Sequence, residues 1–245
     1  DLSNRVAIIV PKATEGSPLA DPRVREAVDL AINKKVIIEK LLGGAATPVR
    51  TRVTSGNVGA NEALFDVETV DVEKAKQLLK EAGYENGVEL TMQATDGRYA
   101  KDKDVAEMVA GMLEAAGIKV KLEFPEWNTY LELRRANKVA DLHMLWLANS
   151  FFDAHIMIGE HLTGTRKLED LGYDNPKLVE LLTKAEKNMN EEERVKQYQE
   201  AQEIIAEERM RIYLYLEHNT YGVSEQVDFK PRLDEMFRVY EIKSK

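Results

Sequence analysis

The run Leu142-His143-Met144-Leu145-Trp146-Leu147 constrains this chain more than any other stretch. Six apolar or ring-bearing residues in succession leave no face for water, so as a strand the segment has to be covered on both sides. That places it inside an open α/β sheet with helices above and below. Such sheets receive ligands at the carboxyl ends of their strands. This strand opens at once into Ala148-Asn149-Ser150-Phe151-Phe152-Asp153. A large indole next to short polar side chains reads as a recognition surface rather than a hydrolytic centre.

The rest of the chain supplies the matching elements. Val6–Val10 reads as a second buried strand. Asp21-Pro22-Arg23 starts a helix with an acidic cap and proline at the first position. A second helix, Lys34–Leu42, stops at Gly43-Gly44. Residues 45–70 keep no period and are rich in turn formers, the mark of a long loop that carries function or motion. Asp71 caps a helix over 72–82 that stops at Gly83. Val88–Ala94 alternates as a strand, Lys103–Ala116 carries a helical apolar face, and Lys119–Phe124 alternates again. Strand, helix and strand make a βαβ crossover. Helices are expected over 126–137, 176–189 and 191–208, the last capped by Asn190. Strands are expected over 211–216 and 237–242. The fold class is α/β: one lobe with a mixed sheet flanked by helices, with residues 217–245 set apart as strands returning elsewhere.

Composition removes whole function classes. With 43 acidic against 34 basic residues the net charge is −9, and no Lys/Arg cluster is present for phosphate contacts, so nucleic acid is not expected as a partner. The absence of cysteine removes disulfides, zinc–thiolate sites and thiol catalysis. No apolar run approaches about 18 residues, so no membrane-spanning helix is expected. Asp1–Arg5 has no signal-peptide character, and the chain reads as part of something longer.

Chemistry-bearing motifs are also missing. There is no dinucleotide or phosphate-loop glycine pattern and no nucleophile elbow, so no cofactor is expected. Of the four histidines, His155 and His161 could join Asp153 around a metal. Their six-residue spacing puts them on different faces of a helix, and a surface or packing role is the plainer expectation, with no metal site. A stand-alone hydrolase using Asp153 and a histidine is the alternative from another class; the expectation is that this is not an enzyme.

Several motifs, in order, resemble one family. Asp21-Pro22-Arg23-Val24-Arg25-Glu26-Ala27-Val28 is similar to a D-x-R-V-R-x-A signature. Ala75-Lys76-Gln77-Leu78-Leu79-Lys80-Glu81-Ala82-Gly83-Tyr84 is similar to A-K-x-L-L-x-E-A-G-Y. Gly97-Arg98-Tyr99-Ala100-Lys101-Asp102-Lys103 is similar to G-R-Y-x-x-D-K, and Leu113–Val120 to L-x-x-x-G-I-x-V. Arg211–Tyr215 sits where an I-P-L-Y strand is expected. The set resembles the peptide/nickel-type (family 5, oligopeptide/dipeptide-binding-like) solute-binding proteins of ABC importers.

The resemblance implies a periplasmic-binding-protein type II-like fold made of two lobes that close on a solute. This chain would be the C-terminal lobe, with residues 217–245 returning toward the other. It implies a periplasmic or extracellular monomer, lipid-anchored in its full-length form, that hands a peptide-, opine- or oligosaccharide-like solute to membrane permease subunits. In peptide-binding members the strand matching Leu142–Leu147 ends in G-W-x-x-D, whose Trp lines the pocket and whose Asp pairs with an ammonium. Trp146 matches the Trp, Asn149 stands in place of the Asp, and Leu145 in place of the Gly. The candidate ligand-binding residues are Trp146 and Asn149 from this match, Ser150 and Asp153 from the loop that follows, and Arg98 and Tyr99, which follow a strand end expected near the same edge. An amide at 149 keeps hydrogen bonding and drops the charge, with Asp153 as the substitute carboxylate.

Overall fold

The computed structural model describes residues 2–149, 151–159 and 172–245. Its strands are β1 (Leu2–Pro11), β2 (Ala46–Pro48), β3 (Val88–Gln93), β4 (Ile118–Glu123), β5 (Leu142–Ala148), β6 (Ile212–His218), β7 (Val227–Asp228) and β8 (Lys243–Ser244). Its helices are α1 (Pro22–Ala31), α2 (Lys34–Leu41), α3 (Val72–Glu81), α4 (Asp102–Ala115), α5 (Trp127–Arg135), α6 (Ala154–Gly159), α7 (Pro176–Lys187) and α8 (Glu191–Glu207).

Six strands form one mixed sheet in the order β2-β6-β1-β5-β3-β4. β3 runs parallel to both β4 and β5, and α4 links β3 to β4 as the expected crossover. β1 runs antiparallel to β5 and to β6. β5 is covered on both faces, as its apolar run requires. Met144 and Trp146 join one core with Ala7, Ile9 and residues of α1 to α4. Leu145 joins a second core with Val6, Ile8, Val10 and residues of α6 to α8.

The start signals act as the side chains dictate. Asp21 accepts from the Arg23 backbone N–H at 2.9 Å and Asp71 from that of Lys74 at 3.0 Å. Asn190 accepts from that of Glu193 at 3.2 Å. Gly83 and Gly117 take φ of 89° and 93° just after the helices they end.

Two features depart from the sequence reading. Phe237–Ile242 does not form a strand; a short 3-10 turn occupies 239–241 and only Lys243–Ser244 pairs, with β7. β6 also changes register against β1: Ala7 faces Tyr215 while Ile8 faces Tyr213. The extra residue, Leu214, is a bulge. It sends Tyr213 into the second core and Tyr215 into the first, beside Trp146.

Candidate functional site

β1 starts where β5 ends, with Arg5 opposite Ala148, and β6 ends beside it, with His218 opposite Leu2. Met92 pairs with Leu142, so the loop after β3 runs on past β5's middle. Asp102, at the start of α4, organises that loop. It is 2 % exposed and accepts from the Thr95 hydroxyl at 2.7 Å. It also accepts from the backbone N–H groups of Gly97, Arg98, Tyr99 and Lys103, at 2.9–3.1 Å. Burial pushes its carboxyl up, but the bonds from Thr95, Gly97, Tyr99 and Arg98 outweigh that and hold it below the usual range. Gly97 takes φ of 77°, which the turn requires.

With its backbone spent on Asp102, the loop presents its side chains. Tyr99 stacks on Trp146 with ring centroids 5.0 Å apart and planes 23° from parallel. Trp127, at the start of α5, meets the edge of Tyr99 at 6.3 Å. The exposed Arg98 guanidinium lies 4.8 Å from the Trp127 ring centre and 5.4 Å from that of Tyr99. Arg5 reaches Tyr99 from β1 at 5.8 Å. The result is a half-open aromatic shelf, Trp127 and Tyr99, with Trp146 as its base and two cations over it. Such an arrangement can stack a planar or apolar group and offer Arg98 to a carboxylate.

Trp146 therefore lies one layer deeper than a pocket-lining role requires. It is 2 % exposed, because Tyr99 covers its face. Its indole N–H leans toward the Tyr215 hydroxyl, yet neither group completes a hydrogen bond of ordinary geometry with any described residue.

The loop after β5 is built the other way. Asn149 is 2 % exposed. Its amide donates to Asn57 Oδ1 at 2.6 Å and approaches Met157 Sδ at 2.7 Å. Its carbonyl accepts from the backbone N–H groups of Phe151 and Phe152 at 3.0 and 3.1 Å. Asn149 thus closes a turn, and a solute-facing role gives way to that. Asp153 accepts from the His155 backbone N–H at 2.8 Å and from the two terminal guanidinium nitrogens of Arg194 at 2.8 and 3.0 Å. Burial raises its carboxyl, but the Arg194 bonds win and keep it ionised below the usual range. It is committed to α8 rather than free to act as a base or an ammonium partner. Ser150 and His161 lie outside the described residues. Among the described residues no group of three metal-ligating side chains converges, and no helix is long and apolar enough to cross a membrane.

The sequence reading missed Asp102 as organiser, Arg5, and two carboxylates from distant parts of the chain. Glu217 of β6 and Glu235 of the tail each lie 3.7 Å from Arg5. The motif Gly97–Lys103 contained the signal for Asp102. Nothing local marks the meeting of residues 5, 217 and 235.

Comparison with known proteins fits this architecture. Residues 3–168 match the bacterial extracellular solute-binding proteins, family 5, middle region. The chain belongs to that family. It is 29 % identical to a heme-binding protein A of Haemophilus influenzae over 78 % of this chain and 36 % of the relative. It is 31 % identical to a dipeptide-binding protein of Escherichia coli over 54 % of this chain and 25 % of the relative. Among solved structures, HbpA2 from Haemophilus parasuis superposes with a TM-score of 0.88 at 22 % identity, over all of this chain and 49 % of that one. The periplasmic binding protein DppA of Helicobacter pylori, solved with the peptide STSA, gives 0.77 at 25 % identity over 88 % and 42 %. The chain spans between a quarter and a half of the length of these proteins. They are binding proteins, and the fold is that of periplasmic binding proteins of the second type.

Proposed function

We propose that this chain is the C-terminal lobe of a two-lobed solute receptor that captures a small solute and delivers it to an ABC permease, without chemistry. The observation that carries the reading is the shelf of Trp127 and Tyr99 over Trp146 with Arg98 and Arg5 above it. It lies beside the edge where β1 enters and β6 leaves, the side on which a second lobe would close. The shelf favours a solute with a planar or apolar portion and a carboxylate, as peptides and opines have. Arg98 and Tyr99 make the contacts, and Trp146 holds Tyr99 from below.

Residues 219–245 belong with the other lobe in this reading. In support, they add no strand to the main sheet. They also leave Phe237, Val239 and Tyr240 between 65 and 80 % exposed, a patch that a neighbouring surface would cover. The family's extracellular character supports a periplasmic or extracellular setting, and we extend it to a lipid-anchored, monomeric receptor. Trp127 and Trp146 are the chain's two tryptophans, so both report on the shelf. The full two-lobed receptor should shift its tryptophan emission on binding a peptide or opine. Tyr99→Ala should weaken binding about ten-fold or more. Unchanged affinity in that variant rejects the shelf as the site.

A further inference from the structure

Glu217 is a carboxylate whose hydrogen-bonding capacity is unspent. Its side chain is 19 % exposed, yet among the described residues the contact it makes is Arg5, at 3.7 Å, beyond hydrogen-bond reach. Glu235 differs: it accepts from the Ser3 hydroxyl at 2.9 Å and from the Asn4 N–H at 3.5 Å, and faces Arg5 at 3.7 Å. One guanidinium is thus shared by two carboxylates, leaving one negative charge without a counter-ion among the described residues, in a half-buried place. The groups facing Glu217 come from each neighbouring element: Arg5 from β1, Glu235 from the tail, and Tyr215 from two residues back on β6. Tyr215 is fully buried on the same face as Trp146, and its hydroxyl completes no hydrogen bond with a described residue. β6 lies two strands from β5, about 10 Å across the sheet. A negative pole therefore stands one short solute's length from the Trp146–Tyr99 stack, with the Arg98 guanidinium beyond it.

We propose that Glu217 receives a cationic nitrogen of the solute, an ammonium or protonated amine, while Arg98 takes its carboxylate. The solute class is accordingly zwitterionic rather than neutral or purely anionic. An ammonium supplies the donors that the Glu217 carboxylate lacks and the charge that Arg5 leaves uncompensated. This rests on the shelf being the solute site. Burial, with the Glu235 charge adding to it, pushes the Glu217 carboxyl up to about 7 against the lowering pull of Arg5. Since the ammonium binds the ionised form, affinity should rise with pH up to that point and fall below it by up to ten-fold per unit.

The test uses the full receptor and paired compounds, each with a free and an N-acetylated amine: dipeptides, tripeptides, opines and amino sugars, followed by calorimetry. Acetylation should weaken the tightest binder about thirty-fold or more. Glu217→Gln should cost the free amine about ten-fold, leave the acetylated partner within two-fold, and flatten the pH profile between 6 and 8. Glu235→Gln, which spares Glu217, should change affinity less. Equal binding of free and acetylated compounds, or an unchanged free amine in Glu217→Gln while Tyr99→Ala still loses affinity, overturns the inference and leaves the site standing. Failure of Tyr99→Ala to weaken anything, or of every compound to bind, overturns both.

Discussion

The loops that follow β3 and β5 look alike as sequence: both are polar, and both contain aromatic and aspartate side chains. They behave in opposite ways. After β3, one buried carboxylate, Asp102, gathers the loop's N–H groups and frees Arg98 and Tyr99 to face outward. After β5, Asn149 and Asp153 spend their own polar atoms on Asn57, Met157, the Phe151 and Phe152 N–H groups and Arg194. Whether a polar loop residue is available to a ligand is decided by who satisfies the backbone. Where one buried organiser does so, the other side chains are free. Where each residue serves the loop itself, none is left over.

The comparison breaks most visibly at Asp102. Asp102→Ala leaves a buried hydroxyl and four half-buried N–H groups without their acceptor, and should cost about 3 kcal/mol in urea unfolding together with solute binding. A loss below about 1 kcal/mol would show that the loop holds itself. Next is Asn149→Asp. The new carboxylate would face Asn57 Oδ1, an acceptor, in a buried turn, so its folded pKa lies above the usual value near 4. Stability should therefore be retained at low pH and lost as pH rises through that folded value, by about 2 kcal/mol at pH 7. A pH-independent loss would point to packing rather than charge.

Glu217 gives a smaller effect of the same sign. Its folded pKa is about 7 against 4.5 for a free glutamate. The folded state thus holds more protons between those values, and stability falls as pH rises from about 4.5 to 7. Glu217→Gln should remove that slope and add about 1 kcal/mol at pH 8, read by thermal unfolding at several pH values. Smallest is Arg98→Ala. Its exposed guanidinium rests on rings and makes no ion pair among the described residues, so stability should move by less than about 0.5 kcal/mol while solute affinity falls. A large stability loss would mean that Arg98 serves the loop rather than the ligand.

How much of this the sequence discloses depends on the range of the interaction. Helix starts at Asp21, Asp71 and Asn190 and stops at Gly83 and Gly117 are local transactions between neighbours, and they are legible. So is the two-faced burial of β5, since an uninterrupted apolar run has no alternative. The bulge at Leu214 is not legible, because it answers to the register of β1 more than two hundred residues earlier. Phe237–Ile242 alternates like a strand but finds no partner among the described residues. The aromatic shelf is half legible: motif resemblance points to Trp146, and a position just after a strand end points to Arg98 and Tyr99. That Tyr99 caps Trp146, and that Asn149 turns inward, follows from Asp102 and Asn57, whose roles no spacing announces.

The pairing of Leu2 with His218 has one more consequence. The backbone comes into this unit and goes out of it about 5 Å apart, one strand spacing. A module with adjoining ends can be lifted out, transplanted into a surface loop of another protein, or reclosed with a linker of a few glycines without stretching its interior.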